Sequence, residues 1–150
     1  MTPKTQHPHN EDAERRLLAG LLREPLLVTE ACIRHGVREE HLYFHPHRLV
    51  WAAAWSLIHS GGVPDLVGVW QTLVCRGQQR ELDPRAPALW LADLYDEDPT
   101  GAWCDWSCEL IREAATRRDL IHRANEVLRD AYDRVREPEF YRRQLASLAR

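Results

Sequence analysis

HRLVWAAAWSLIHSGGVPDLVGVWQTL, residues 47–73, is the stretch on which the fold turns. From Pro46 to His59 apolar side chains recur on several helical faces: Leu49, Ala53 and Leu57 on one, Val50 and Ala54 beside it, Trp51, Trp55 and Ile58 on a third. A helix apolar on so many sides has to be covered nearly all round. Gly61 and Gly62 supply the backbone freedom of a helix exit, Pro64 blocks continuation, and Asp65 is a good N-cap for a second helix. That helix carries Leu66, Val69, Trp70 and Leu73 on one face and stops at Gly77. No group in or around the pair has the means to do chemistry, so the segment reads as part of a docking domain.

Working outward, the chain is punctuated like a helical bundle. Met1 to His9 is polar, holds two prolines, and is expected to be a disordered lead. Asn10 is a suitable N-cap for a helix whose first turn contains Glu11, Asp12 and Glu14, favoured there by the helix dipole. It ends near Glu24, and Pro25 opens a second helix that stops at Gly36. A brief helical turn over residues 38–43 leads into the apolar helix. Residues 78–87 form a loop, Leu89 to Leu94 a short helix, and residues 96–101 a turn.

From about Ala102 to Arg136 neither Gly nor Pro interrupts, which allows one helix of about 50 Å. Trp103, Ser107, Leu110, Ala114, Arg117, Ile121, Ala124, Leu128, Ala131 and Val135 follow one another in steps of four and three, the spacing of a helix-pairing seam. Trp106, Leu120 and Val127 flank it. Glu137-Pro138 breaks the helix, and Phe140, Tyr141, Leu145 and Leu148 begin a returning one, giving an αα-hairpin. A lone hairpin cannot cover both sides of such a seam. The expected interface is Leu110, Ala114, Arg117, Ile121, Ala124, Leu128, Phe140 and Leu145, pairing with a second copy of the chain. The seam residues would otherwise serve the chain's own core or a solvent-exposed arm. Arg117 either sets register or extends its head group to solvent.

The fold class is therefore all-α: a bundle of five to six helices over residues 10–101, followed by a long helix and a returning helix over residues 102–150. A chain of 150 residues buries about 70% of its unfolded surface, enough for one core with an arm. With 44% apolar and 29% charged residues it has an ordinary globular composition. No apolar run is long enough for a membrane span and the N-terminus lacks a signal-peptide pattern, so the expected location is the cytoplasm.

The arrangement resembles the N-terminal domain of DnaB-type replicative DNA helicases. The resemblance is carried by His47-Arg48-Leu49-Val50-Trp51, then Leu57, then Gly62-Val63-Pro64-Asp65-Leu66-Val67 with Leu73. Ala13-Glu14 with Leu17-Leu18 and Leu21-Leu22 resembles that family's first helix. Trp90 to Leu94 with Pro99-Thr100 resembles its short helix and turn, and Leu110-Ile111-Arg112-Glu113 with Arg118 and Leu120-Ile121 the opening of its long helix. Together these span residues 10–135. Two departures mark a divergent member: Ala19-Gly20 stands where the family usually reads Gly-Ala, and the aromatic positions are heavily Trp. The turn residues Gly62, Pro64 and Asp65 take structural roles by this likeness. It implies a non-catalytic domain whose hairpins pair protomers into a ring collar and whose surface recruits a primase or helicase loader, with DNA engaged only indirectly.

A helicase of that type also has an ATP-hydrolysing domain. Here there is no Gly-x-x-x-x-Gly-Lys-Ser/Thr phosphate loop, and Lys4 is the sole lysine. Either the chain is the N-terminal piece of a longer helicase, with that ATPase domain as a further partner, or it is a small adaptor that caps, recruits or inhibits one.

Other chemistry finds little footing. The net charge is −3, and arginines alternate with acids, as in Arg112-Glu113 and Arg129-Asp130, unlike the basic stripe of a DNA-binding face. A small helix-turn-helix regulator is the main alternative, but its reading helix would offer only Gln71, Thr72 and Arg76. His41, His45 and His47 lack the His-Glu-x-x-His spacing of a helix-borne zinc site and are expected as caps or surface groups. Cys32, Cys75, Cys104 and Cys108 are expected as buried free thiols, although Cys104 and Cys108 share a helix face that would suit a soft metal given further ligands. The six Trp are expected in the core rather than as base-stacking platforms. No catalytic residue and no cofactor is expected.

Overall fold

A computed structural model describes residues 6–134 and 136–150. Among these residues seven α-helices form and no strand: α1 (Glu11–Arg23), α2 (Pro25–His35), α3 (His45–His59), α4 (Leu66–Cys75), α5 (Pro87–Tyr95), α6 (Cys104–Tyr132) and α7 (Pro138–Leu148). Single 3₁₀ turns occupy Glu39–His41 and Gln79–Glu81. No described helix is long and apolar enough to cross a membrane. Contacts divide the chain inside α6, into a head, His9–Ala114, and an arm, Ala115–Arg150 with the described residues up to Pro8. Sequence spacing places this division at residue 101. It falls later because Cys104, Ser107, Cys108, Ile111 and Ala114 of α6 are themselves buried.

In the head, α1 touches α2, α3 and α5, while α4 packs on α3 and α5. Ala13, Leu17, Leu18, Leu21 and Leu22 of α1 are all buried, each large one contributing about 1.5–3 kcal/mol of apolar transfer. Gly20 lets α1 come close to its neighbours: a Cβ there would lie 3.0 Å from Val28 Cγ2 and 3.2 Å from Gly101 Cα. This explains a glycine at a position where the resemblance leads one to expect alanine.

Helix ends follow the residues that mark them. Asn10 Oδ1 accepts from the Ala13 amide (2.9 Å), Pro25 opens α2, and Gly36 closes it in the left-handed region. At the α3–α4 turn the amides of Gly61 and Gly62 donate to the Ile58 and Leu57 carbonyls (3.0 and 2.8 Å), and the left-handed residue is Gly61. Asp65 Oδ1 then accepts from the Gly68 amide at 2.6 Å. As expected of its composition, α3 is covered on most sides: Leu49, Val50, Trp51, Ala53 and Ala54 are buried, and Trp55, Leu57 and Ile58 pack half-buried on the core.

Several expectations need correction. The long helix runs from Cys104 to Tyr132 instead of residues 102–136, about 44 Å. At its start Asp98 Oδ1 accepts from the Thr100 and Gly101 amides and holds a turn, and near its end Arg134 is left-handed (φ 52°), so the chain is already reversing before Pro138. Val135, read as the last seam residue, and residues 1–5 of the lead lie outside the described residues. His9, expected within that lead, stacks on Tyr43 with ring centroids 4.6 Å apart.

Trp103, just before α6, and Trp106, in its first turn, are exposed rather than core, with the Arg16 guanidinium over both rings. Of the cysteines, Cys32, Cys104 and Cys108 are buried but Cys75, at the end of α4, is exposed. A hydrogen bond with Cys108, together with burial, pushes the Cys32 thiol well above its usual range, and burial pushes Cys104 up.

Candidate protein-interaction surface

The arm is built from the end of α6 and from α7. Tyr141, buried on α7, accepts from the Arg136 amide (2.7 Å) and donates its hydroxyl to the Asp130 carbonyl (2.9 Å), pinning the reversal. A 210 Å³ cleft is lined by Arg123 and Val127 of α6 and by Gln144 and Leu148 of α7, so α7 runs back alongside α6. Arg118 Nη1 donates to the Pro8 carbonyl at 2.8 Å.

This short hairpin leaves much of its apolar surface uncovered. Leu128 is 53% exposed and Leu145 50%, and Leu120, Ile121 and Phe140 are also exposed, while Ala124 and Val127 are half-buried. The expected interface residues thus divide. Ala114 is buried and Leu110 is half-buried against the core, so the head already occupies these two positions. Ile121, Leu128, Phe140 and Leu145 lie in the arm with apolar surface in water, and Arg117 is exposed. The seam read from spacing is therefore core at its beginning and surface at its end. Its heptad pattern is the same in both parts, which is why the sequence does not separate them.

Charge on the arm is balanced locally. Arg123 pairs with Asp119 (3.0 Å), His122 with Glu126 (3.3 Å) and Arg142 with Glu139 (3.4 Å), all exposed pairs of the kind worth about 0–1 kcal/mol. In the head Arg15 meets Glu97, Arg23 meets Asp96, and Arg34 meets Asp105. On α4 the Thr72 hydroxyl donates to the Gly68 carbonyl of its own helix, and the exposed side chains include Val67 and Val74. A helix meant to read bases would present polar groups there.

The three clustered histidines take three separate partners. His41 Nδ1 accepts from the Arg38 amide (2.9 Å), His45 faces Glu81 (3.1 Å), and His47 Nδ1 lies 2.6 Å from Glu14 Oε2. His47 is neither a cap nor a surface group: it and Glu14 are both buried. Glu14 Oε1 also accepts from the Tyr43 amide (2.6 Å) and Oε2 from Phe44 (3.4 Å), so a carboxyl on α1 holds the start of α3. Nothing local in the sequence points to a partner so far away along the chain. Among the described residues no group of three or more His, Cys, Asp or Glu is placed to hold a metal ion.

A second feature missed by sequence reading lies on the outer side of α3. Trp51, Trp55 and His59, with Arg38, Glu39 and Arg76, line an open pocket of about 460 Å³. The Trp55 indole Nε1 is buried without an acceptor among the described residues, a state that costs about 1–3 kcal/mol.

Comparison with known proteins places these features in a family context. Residues 6–113 match the family described as DnaB-like helicase N terminal domain. Over 130 residues the chain is 28% identical to the replicative DNA helicase DnaB of Nostoc sp., an alignment covering 87% of this chain and 14% of that protein. The crystal structure of the N-terminal domain of DnaB helicase from Mycobacterium tuberculosis matches with a TM-score of 0.82 at 26% identity, covering 97% of this chain and all of that one.

Proposed function

The chain belongs to the DnaB-like helicase N-terminal domain family, and from that premise we propose that it is the non-catalytic oligomerisation and docking domain of a replicative helicase. Because it spans only 14% of the length of its Nostoc relative, the motor activity of such a protein would reside in an ATPase domain outside this chain. The hairpin of one protomer pairs with that of a second, building a collar, and the outer surface recruits a primase or loader in the cytoplasm.

The observation that carries this reading is the uncovered apolar row Ile121, Leu128, Phe140 and Leu145. Burying a large apolar side chain completely is worth about 1.5–3 kcal/mol. Half-exposed residues have about half of that left to gain, so the four offer about 3–6 kcal/mol per protomer and about 6–12 per pair. Association costs about 4–15 kcal/mol, so the row supports a weak, reversible dimer that further contacts would strengthen.

Sedimentation analysis of the chain from about 1 to 100 µM is expected to show concentration-dependent dimerisation. Ile121→Asp with Leu128→Asp should hold the chain monomeric without lowering its melting temperature. A wild-type chain that stays monomeric at about 100 µM would overturn the proposal. The helix-turn-helix alternative predicts steep, salt-sensitive duplex binding, against which the locally paired arginines and apolar α4 surface weigh.

A further inference from the structure

We propose that the pocket on the outer side of α3 binds a peptide segment in which a bulky apolar or aromatic side chain stands beside a carboxylate. Three observations carry this. The pocket volume, about 460 Å³, suits one or two side chains rather than a folded surface or a duplex. Its wall is aromatic: half-buried Trp55 and exposed His59 lie with ring centroids 5.7 Å apart, backed by the buried Trp51 at 5.4 Å from Trp55, a surface on which a flat side chain packs well. Its polar groups have work left to do. Arg38 and Arg76, both exposed and both lining the pocket, have no carboxylate partner among the described residues, so two unneutralised guanidinium groups share one concavity. The Trp55 Nε1–H, buried and without an acceptor among the described residues, reports on the ring that a ligand would cover.

A peptide of this kind answers each group in turn. Its carboxylate takes the two arginines, where charge-assisted bonds are strongest, and the apolar side chain covers the Trp wall. Glu39 on the same pocket then receives a peptide amide. This surface is distinct from the arm, so the inference does not depend on hairpin pairing.

The test is titration of the ¹⁵N-labelled chain with acetyl-Gly-Asp-Phe-Asp-Gly-amide, following the Trp55 indole cross-peak. That signal is identified by its loss in Trp55→Phe or, should that variant unfold, by sequential assignment. The cross-peak is expected to move saturably, with a Kd of about 0.1–1 mM. Arg38→Ala and Arg76→Ala, both at exposed positions and checked for native helicity by circular dichroism, should each weaken binding about tenfold. A peptide with Asn for both Asp should do the same. The proposal is overturned if the cross-peak stays still up to about 5 mM peptide, or if the Asn peptide binds as well as the Asp peptide. It is equally overturned if the arginine variants bind like wild type, or if oligothymidylate displaces the peptide. Dimer-blocking substitutions in the arm should leave the titration unchanged.

Discussion

Replacing Glu14 with alanine should unfold the head from the inside. In the native chain its carboxyl accepts from the Tyr43 amide and faces His47 Nδ1, both at 2.6 Å, and accepts more weakly from Phe44 at 3.4 Å. The two short bonds decide the magnitude, since a contact of 3.4 Å lies beyond the usual N–H···O range. Each buried donor left without an acceptor costs about 1–3 kcal/mol, so two cost about 4 kcal/mol. For a chain of this size about 2–4 °C of melting temperature is lost per kcal/mol, which gives a drop of about 8–16 °C. Thermal melting followed by far-ultraviolet circular dichroism reads it directly. Glu14→Gln, which keeps one acceptor oxygen, should fall between the wild type and Glu14→Ala. A drop below about 3 °C for Glu14→Ala would mean that water or a neighbouring group replaces the carboxyl, and would refute the claim that Glu14 organises the start of α3.

Further outcomes follow from other contacts. Asp65→Ala removes the acceptor for the Gly68 amide and should cost about 1 kcal/mol in urea unfolding, the usual value of an N-cap. Gly20→Ala gains about 1 kcal/mol of helix propensity. It loses about 1–3 kcal/mol because the new methyl meets Val28 and the backbone of Gly101, so urea unfolding should show a net loss. Asp105 is held below its usual range by Arg34 and then by His35, so the stability it adds is complete above its unfolded value of about 3.9 and disappears as pH falls through the folded value. The difference in urea midpoint between wild type and Asp105→Asn should therefore be open at pH 6–7 and close toward about pH 2–3.

How much of this was legible beforehand depended on the distance over which each residue acts. Asn10, Pro25, Gly36 and Asp65 work within one helical turn, so their roles as caps and stops could be read from neighbours, and the all-helical fold with them. The long helix was legible as a heptad row, but its burial was not. Ala114 and Leu128 look alike in the pattern, and only packing puts one inside the head and leaves the other wet. Trp103 and Trp106 misled for a related reason: aromatic content argues for a core, while an overlying Arg16 makes an exposed position tolerable. The Glu14–His47 pair joins α1 to α3, and the α3 pocket gathers Arg38, Trp55 and Arg76 from separate segments, so neither leaves a periodic signature.

The uneven burial of the cysteines gives the chain a built-in reporter. Cys32, Cys104 and Cys108 are closed off by packing and Cys75 is open to solvent, so an alkylating dye should modify a single site in the native state and the remaining thiols only after denaturation. Labelled at Cys75, next in sequence to Arg76, the chain would carry a fluorophore at the edge of the α3 pocket without any engineered residue.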